Sequence, residues 1–348
     1  MDLIHPRTRA DVATALRDAS AAGRRVLVVG GRRHLDKGNP VEVAAELWTT
    51  QLDQVVAYEP EEMLVVVQAG MRCGALATLL VEHDQEWPAD APDDATVGGV
   101  IASAASSPRR LRVGALRDTV VEMELVTGDG REVRSGARTV KNVTGYDLHR
   151  LMTGSLGTLG VITQVALKVR PRPERAVTVV IAGAGIERAQ AIVAEMPLVA
   201  GVLATPTAVE VRLEGWADEI EELRAALAGP ASSAGDEAER YPLEPWWSWP
   251  DDGTILEVAV APSRLKQVVS GATAFAALAG VGLAWVTAPT SEDLATLRRR
   301  VGAAGGIAPA VRGPGGLGDA PVAGVDVHRR LRSSFDPAGI LAPGRGWA

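Results

Sequence analysis

Between Val140 and Thr163 the chain places Gly145, Gly154, Gly157 and Gly160, four glycines in sixteen residues, among small hydroxyl side chains. It then runs into the apolar stretch Val161 to Val169. Glycine loses more conformational freedom on folding than any other residue, so such a cluster is kept where φ > 0 is required or where a Cβ would collide with something close by. The stretch reads as backbone laid against a flat or phosphorylated ligand, and the rest of the chain has to supply the sheets that hold it.

At 348 residues the chain exceeds one average domain, which implies two domains or one with a large insertion. Aromatic residues make up 4% of a chain that is 47% hydrophobic, so its cores are built from small aliphatic side chains. A net charge of −7 and the lack of a Lys/Arg block with interleaved aromatics argue against a nucleic-acid partner. One cysteine, Cys73, excludes an internal disulfide and any cysteine-held iron–sulfur cluster in this chain; such a cluster would have to come from another subunit. No metal site is expected. No run of 18 apolar residues occurs, so a cytoplasmic location is expected, with membrane contact only through partners.

The apolar spacing predicts a surface helix over Thr8 to Ala22 and a strand over Arg25 to Val29 that ends in the glycine-bounded loop Gly30 to Gly38. Val-rich runs at Leu52 to Tyr58 and Met63 to Ala69 flank an acidic Pro turn and read as a hairpin. A helix follows over Gly70 to His83. Thr96 is placed to cap a helix that starts on Gly98 and Gly99, and a Gly-Asp-Gly turn joins Val120–Val126 to Arg131–Arg134 as a second hairpin. Pro171 and Pro173 mark a domain exit. Beyond them, strands at Val177–Ala182, Ala208–Leu213, Thr254–Val260 and Gly282–Thr287 alternate with helices at Ile186–Glu195, Asp218–Leu227, Ser263–Ala279 and Ser291–Gly302, an α+β pattern of antiparallel-sheet type. Pro230–Gly235 and Gly313–Gly318 read as loops. A last helix, Asp326–Ser333, precedes a turn-rich tail expected to pack back on the first half.

A strand that ends in glycines near the start of a chain invites a Rossmann reading, which fails on spacing. G-x-G-x-x-G is absent, and Leu35 to Pro40 breaks any helix that would offer its N-terminus to a pyrophosphate. Backbone N–H groups of a glycine-bounded loop can still cradle phosphate without a helix. Three such stretches, 30–38, 96–103 and 145–163, suit an extended dinucleotide.

Here a resemblance enters. Lys141-Asn142-Val143-Thr144-Gly145-Tyr146-Asp147-Leu148 with Gly154-Ser155-Leu156-Gly157-Thr158-Leu159-Gly160-Val161 resembles the flavin-binding signature of the vanillyl-alcohol-oxidase, or PCMH-type, FAD-binding family. Ala95 to Ala102 and Phe335 to Arg345 resemble two further stations. In length, order and the segment from Pro108 to Asp118 the chain is similar to FAD-binding subunits of bacterial glycolate oxidases. The resemblance implies a two-lobed α+β fold: a PCMH-type FAD domain over 1–172, a cap over 173–324 built on an antiparallel sheet, and a segment 325–348 returning to the FAD domain.

It also implies FAD as cofactor. Gly30, Gly31, Arg32, Arg33, His34, Thr96, Val97, Gly98 and Gly99 would hold the pyrophosphate. Gly154, Ser155, Gly157, Thr158 and Gly160 would line the flavin and ribityl side, with Val161 or Ile162 toward the adenine. Lys141, Tyr146 and Asp147 would lie near the isoalloxazine or brace the loop, and a cation there, Lys141, would stabilise the anionic reduced flavin; the alternative for Lys141 is a solvent-exposed strand-end lysine.

The chain departs from the pattern in places. Arg32 and Arg33 stand in a loop usually richer in Gly and Ser, either pairing with phosphate oxygens or pointing to solvent. Some family members carry a flavin-linked histidine near the position of His34, but the resemblance implies non-covalent FAD here. Hydroxyacid-oxidising relatives build a metal or base site from cap histidines, whereas this chain has no histidine between Ala176 and Gly324. Trp246-Trp247-Ser248-Trp249 marks either a subunit interface or the cap's core. The expected function is an FAD-binding subunit of a glycolate or 2-hydroxyacid oxidase complex, partnered by a catalytic flavoprotein subunit and an iron–sulfur subunit, with catalytic residues unassigned. A self-sufficient FAD oxidoreductase and an assembly subunit with a vestigial FAD site are the rivals.

Overall fold

A computed structural model describes residues 1–138, 146–227, 232–235, 249, 253–313 and 324–346. The chain forms two compact units: Met1–Ala105 with Ala115–Pro171 and Val322–Ala348, and Ser106–Gly114 with Arg172–Pro321.

The first unit starts from a helix with a well-defined beginning. Thr8 accepts from Asp11 N, and the Asp11 carboxylate accepts from the Thr8 N–H in return, a capping box that fixes the start of Arg9–Ala21. Val12, Leu16 and Ala19 recur at helical spacing and are fully buried. They pack on a three-stranded parallel sheet, ordered Asp2–Ile4, Ala45–Trp48, Val26–Val29, through Val26, Ala45 and Leu47. Period-two alternation sends Glu46 and Trp48 to the opposite face of Ala45–Trp48.

The second sheet of this unit is antiparallel and ordered Val55–Glu59, Leu64–Gln68, Val161–Lys168, Val120–Val126, Glu132–Gly136. Both expected hairpins are present. Its central strand, Val161–Lys168, is the apolar run that ends the glycine-rich stretch, and six of its eight residues are buried. A strand flanked on both sides by partners needs this near-continuous apolar sequence.

The C-terminal segment returns to the first sheet. Val26 N donates to Ile340 O at 2.8 Å and Ala342 N to Val26 O at 2.9 Å. Asp336, 2% exposed, accepts from Ile340 N at 3.1 Å and Leu341 N at 2.8 Å. Asp336→Ala leaves two buried N–H groups without this acceptor and should cost about 2–3 kcal/mol, read by urea denaturation. Asp336→Asn, which keeps one carbonyl oxygen, should cost less. Equal midpoints for Asp336→Ala and the parent chain would contradict this role.

The second unit is built on an eight-stranded antiparallel sheet ordered Ser232–Gly235, Arg175–Ala182, Ala208–Gly215, Gly201–Ala204, Phe275–Leu278, Leu283–Ala288, Thr254–Ala259, Ala310–Arg312; Ser232–Gly235, expected as part of a loop, is a strand because it pairs with Arg175–Ala182. One face carries Val177, Val179, Val209, Val211, Leu213, Leu256 and Val258. This face packs with Ile186, Ile192, Ile220, Leu297 and Val301 from the helices Ile186–Glu195, Ala217–Leu227 and Ser291–Ala303. Arg109 and Arg212 both approach Glu214 Oε1, at 3.0 and 3.2 Å, and all three side chains are buried. This charge cluster ties the segment Ser106–Gly114 to the sheet.

The expected helix over Ser263–Ala279 is corrected. Only Leu265–Val269 is α-helical, and Phe275–Leu278 is a strand buried on both faces between two neighbours. Gly271, at φ 78°, breaks the helix, and the apolar four-residue run after it lacks the polar face a surface helix requires. Trp246, Trp247 and Ser248 lie outside the described residues; Trp249 packs against the cluster of Leu203, Ile255 and the fully buried Trp285.

Candidate functional site

The strand Val26–Val29 ends at Gly30, and the chain then passes through an irregular loop before re-entering the sheet at Ala45. Thr96 caps the short helix Val97–Ser103, accepting from Gly99 N at 3.3 Å. Together with Leu156 to Ile162 and Arg345, these segments of the first unit enclose a cleft with about 700 Å³ of empty space, open to solvent.

The glycines have a physical explanation that the sequence did not supply. A Cβ on Gly30 would lie 2.1 Å from Thr96 Oγ1, one on Gly31 2.5 Å from Asp94 O, one on Gly98 2.8 Å from Ala69 Cβ, and one on Gly160 2.9 Å from Val126 O. These positions are closed by the protein's own packing. Gly154 and Gly157 are needed for another reason, with φ at 85° and 75°.

Gly30, Gly31, Arg32, Arg33, His34, Thr96, Gly98, Gly99, Gly157, Gly160 and Ile162 all line the cleft. Val97 and Val161 are fully buried, the second in the core under the parallel sheet. Gly154, Ser155 and Thr158 sit next to the lining without forming part of it. The Thr158 hydroxyl donates to Ser155 O at 2.7 Å. Tyr146 stands 90% exposed, away from the lining, and Lys141 lies outside the described residues. The lining also includes Leu35, Thr49, Ser103, Leu156 and Arg345. Thr49 and Ser103 carry no glycine signal of their own; Arg345 stood in the tail, recognisable as a station but with no cue to its direction.

Arg345 is 5% exposed and donates to His34 O at 3.2 Å and Leu35 O at 3.0 Å, while Asn39 N donates to Arg345 O at 2.9 Å. The tail thus fastens the loop that bounds the cleft. Burial lowers the Arg345 pKa, against the opposing pull of Asp36. Burial, joined by the charge of Lys37, pushes the His34 imidazole down from its usual 6.5 to about 3, so the ring is neutral at physiological pH.

Arg32 and Arg33 neither stand free nor simply point to solvent; each meets a carboxylate. Arg33 Nε donates to Asp94 Oδ1 at 2.8 Å and its Nη2 meets Oδ2, and this fork holds the Asp94 carboxyl below the usual carboxylate range. Arg32 pairs with Glu46 at 3.1 Å. His149 is buried, with Nδ1 3.2 Å from Ser135 Oγ, and serves to tie its helix to the strand Glu132–Gly136.

An FAD binding domain model matches residues 3–136. Glycolate oxidase subunit GlcE of Escherichia coli (strain K12) is 30% identical over 303 residues, spanning 84% of this chain and 85% of that protein. The chain belongs to the PCMH-type FAD-binding flavoprotein family. Other members are similar over shorter stretches: the mitochondrial D-2-hydroxyglutarate dehydrogenase of Danio rerio, 36% identical over 52% of this flavoprotein and 34% of its own length, and glycolate oxidase subunit GlcD of Bacillus subtilis (strain 168), 30% identical over 49% and 37%. The solved structure of an alkyldihydroxyacetonephosphate synthase has the same fold, with a TM-score of 0.69 at 15% identity, covering 98% of this chain and 76% of that one.

The cleft residues fit a dinucleotide. Backbone of Gly30, Gly31, Gly98, Gly99, Gly157 and Gly160 forms part of the wall, where a ligand can approach the main chain with no side chain between. Among the described residues no cluster of three or more His, Cys, Asp or Glu is arranged to hold a metal ion, and no helix is long and apolar enough to cross a membrane.

Proposed function

We propose that this flavoprotein is an FAD-binding subunit of a glycolate or related 2-hydroxyacid oxidase (dehydrogenase) assembly. The observation that carries the reading is the match to GlcE across five-sixths of both chains, so that the cap is included and not only the FAD domain. The chain is an FAD-dependent oxidoreductase of the hydroxyacid-oxidising class. Bound FAD supplies a reversible two-electron acceptor that can release electrons singly. In this assignment the loop Gly30–Gly38 and the Thr96–Gly99 turn hold the pyrophosphate, Gly157, Gly160 and Ile162 lie along the rest of the cofactor, and Arg345 keeps the loop closed over it.

Oxidising a 2-hydroxyacid requires a base for the hydroxyl proton, and near neutrality histidine supplies this most readily. The cap sequence from Ala176 to Gly324 contains none. We therefore assign substrate oxidation to a catalytic flavoprotein partner and onward electron transfer to an iron–sulfur partner, with this subunit's flavin as a relay.

The purified chain should show flavin absorption bands after reconstitution with FAD and should release the flavin to the supernatant on acid precipitation. Under anaerobic conditions glycolate or D-lactate should bleach it only when the partner subunits are present. Absence of flavin bands would overturn the FAD assignment, and rapid bleaching of the isolated chain would overturn the relay.

A further inference from the structure

Arg32 and Arg33 are neighbours in the chain and differ in how their charge is used. Arg33 closes both ends of its guanidinium fork on Asp94. A bidentate pair of this kind leaves little of the fork for a third group. Arg32 engages through one nitrogen alone: Nη1 lies 3.1 Å from Glu46 Oε2 and 3.4 Å from Oε1. Among the described residues its Nε and Nη2 make no hydrogen bond, and the side chain, 49% exposed, lines the cleft.

Three features hold Arg32 in place. Glu46 is 5% exposed and also accepts from Trp48 Nε1 at 2.9 Å, so its carboxylate cannot swing away. The guanidinium carbon lies 5.2 Å from the centroid of the Trp48 ring, within cation–π range. The His5 ring lies 6.1 Å from the Trp48 ring, tilted by 32°. Arg32 itself has φ 61°, a left-handed conformation unusual for a residue with a Cβ, and the surrounding contacts are what make it persist. Glu46 and Trp48 alternate with Ala45 and Leu47 on their strand, so the sheet that buries the hydrophobic core on one face presents this pair toward the arginine on the other.

We propose that Glu46 and Trp48 are positioning residues that fix Arg32 as the cleft's phosphate-facing cation, so that Arg32, and not Arg33, supplies electrostatic affinity for a dinucleotide pyrophosphate. The proposal rests on the FAD reading above. A guanidinium anchored through one arm keeps its remaining donors pre-organised, which reduces the entropy lost when they meet phosphate oxygens.

The test is FAD titration of the apoprotein, followed by quenching of flavin fluorescence at several salt concentrations. Arg32→Asn removes the charge while tolerating the left-handed backbone. It should raise the FAD Kd about tenfold and flatten its salt dependence. Trp48→Leu keeps the charge but frees it, and should raise Kd about threefold with the parent salt dependence. Arg33→Gln combined with Asp94→Asn, at constant net charge, unpins the cleft wall and should raise Kd, but it should keep the parent salt dependence that Arg32→Asn loses. Circular dichroism verifies that each variant folds. FAD binding to Arg32→Asn with the parent Kd and salt dependence would overturn the proposal alone; failure of the parent chain to take up FAD would overturn the flavin reading and this proposal with it.

Discussion

Gly31→Ala should destabilise the protein by about 3 kcal/mol and leave it unable to retain flavin through gel filtration. The backbone torsion is not the reason, since Gly31 is not among the positive-φ glycines. The reason is space: a Cβ there would lie 2.5 Å from Asp94 O, 3.0 Å from Ala95 Cα and 3.1 Å from Arg72 Nη1. Two of these atoms are backbone. Arg72 donates to Asp94 O and Arg33 grips the Asp94 carboxylate, so the opposing wall is pinned and cannot retreat. Gly30 is a milder case. Its Cβ would strike Thr96 Oγ1, which can rotate away by giving up the cap on Gly99 N, at about 1 kcal/mol. The expected order in guanidinium unfolding is therefore Gly31→Ala well below Gly30→Ala, with the flavin-to-protein ratio following the same order. A Gly31→Ala variant with the parent midpoint would show that the 31/94 contact is not rigid.

The contrast shows what was legible in the sequence. Glycine clusters drew attention to 30–38, 96–103 and 145–163; Gly145 lies outside the described residues, and the described glycines at Gly31, Gly98 and Gly160 are positions where the chain passes close to something. Sequence alone does not say what that something is. At Gly31, Gly98 and Gly160 it is another part of the same unit, brought in from tens of residues away. The pairings of Arg32 with Glu46 and of Arg33 with Asp94 span 14 and 61 residues, and no local pattern encodes them. The strand Ala45–Trp48 was unreadable for a related reason: four residues that include a buried Glu do not look like a strand until its parallel neighbours are known. The long helices Arg9–Ala21, Ile186–Glu195 and Ser291–Ala303 were readable because each carries its own buried face. Ser263–Ala279 failed because alanine-rich sequence satisfies helix propensity while a fully enclosed sheet position overrides it.

His34 gives the second large effect, a loss of stability in mild acid. Its imidazole is neutral in the folded protein, with a pKa near 3, and protonates near 6.5 once unfolded. A folded pKa depressed below the unfolded one means that between these values the unfolded chain binds one more proton, so stability rises with pH across this window and falls as the pH drops below about 6.5. From pH 7 to pH 5 this single group should cost about 2 kcal/mol, and the loss should continue toward pH 3. The charge of Lys37 works in the same direction. His34→Gln, which cannot be protonated, should flatten the stability profile between pH 7 and 5 by that amount relative to the parent chain. Because the same loop bounds the cleft, the parent should also release FAD more readily at pH 5 than the variant does, by flavin fluorescence. Parallel pH profiles for the two proteins would show that the imidazole is solvated in solution and that the loop is not closed over it in the way Arg345 and Asn39 fasten it here.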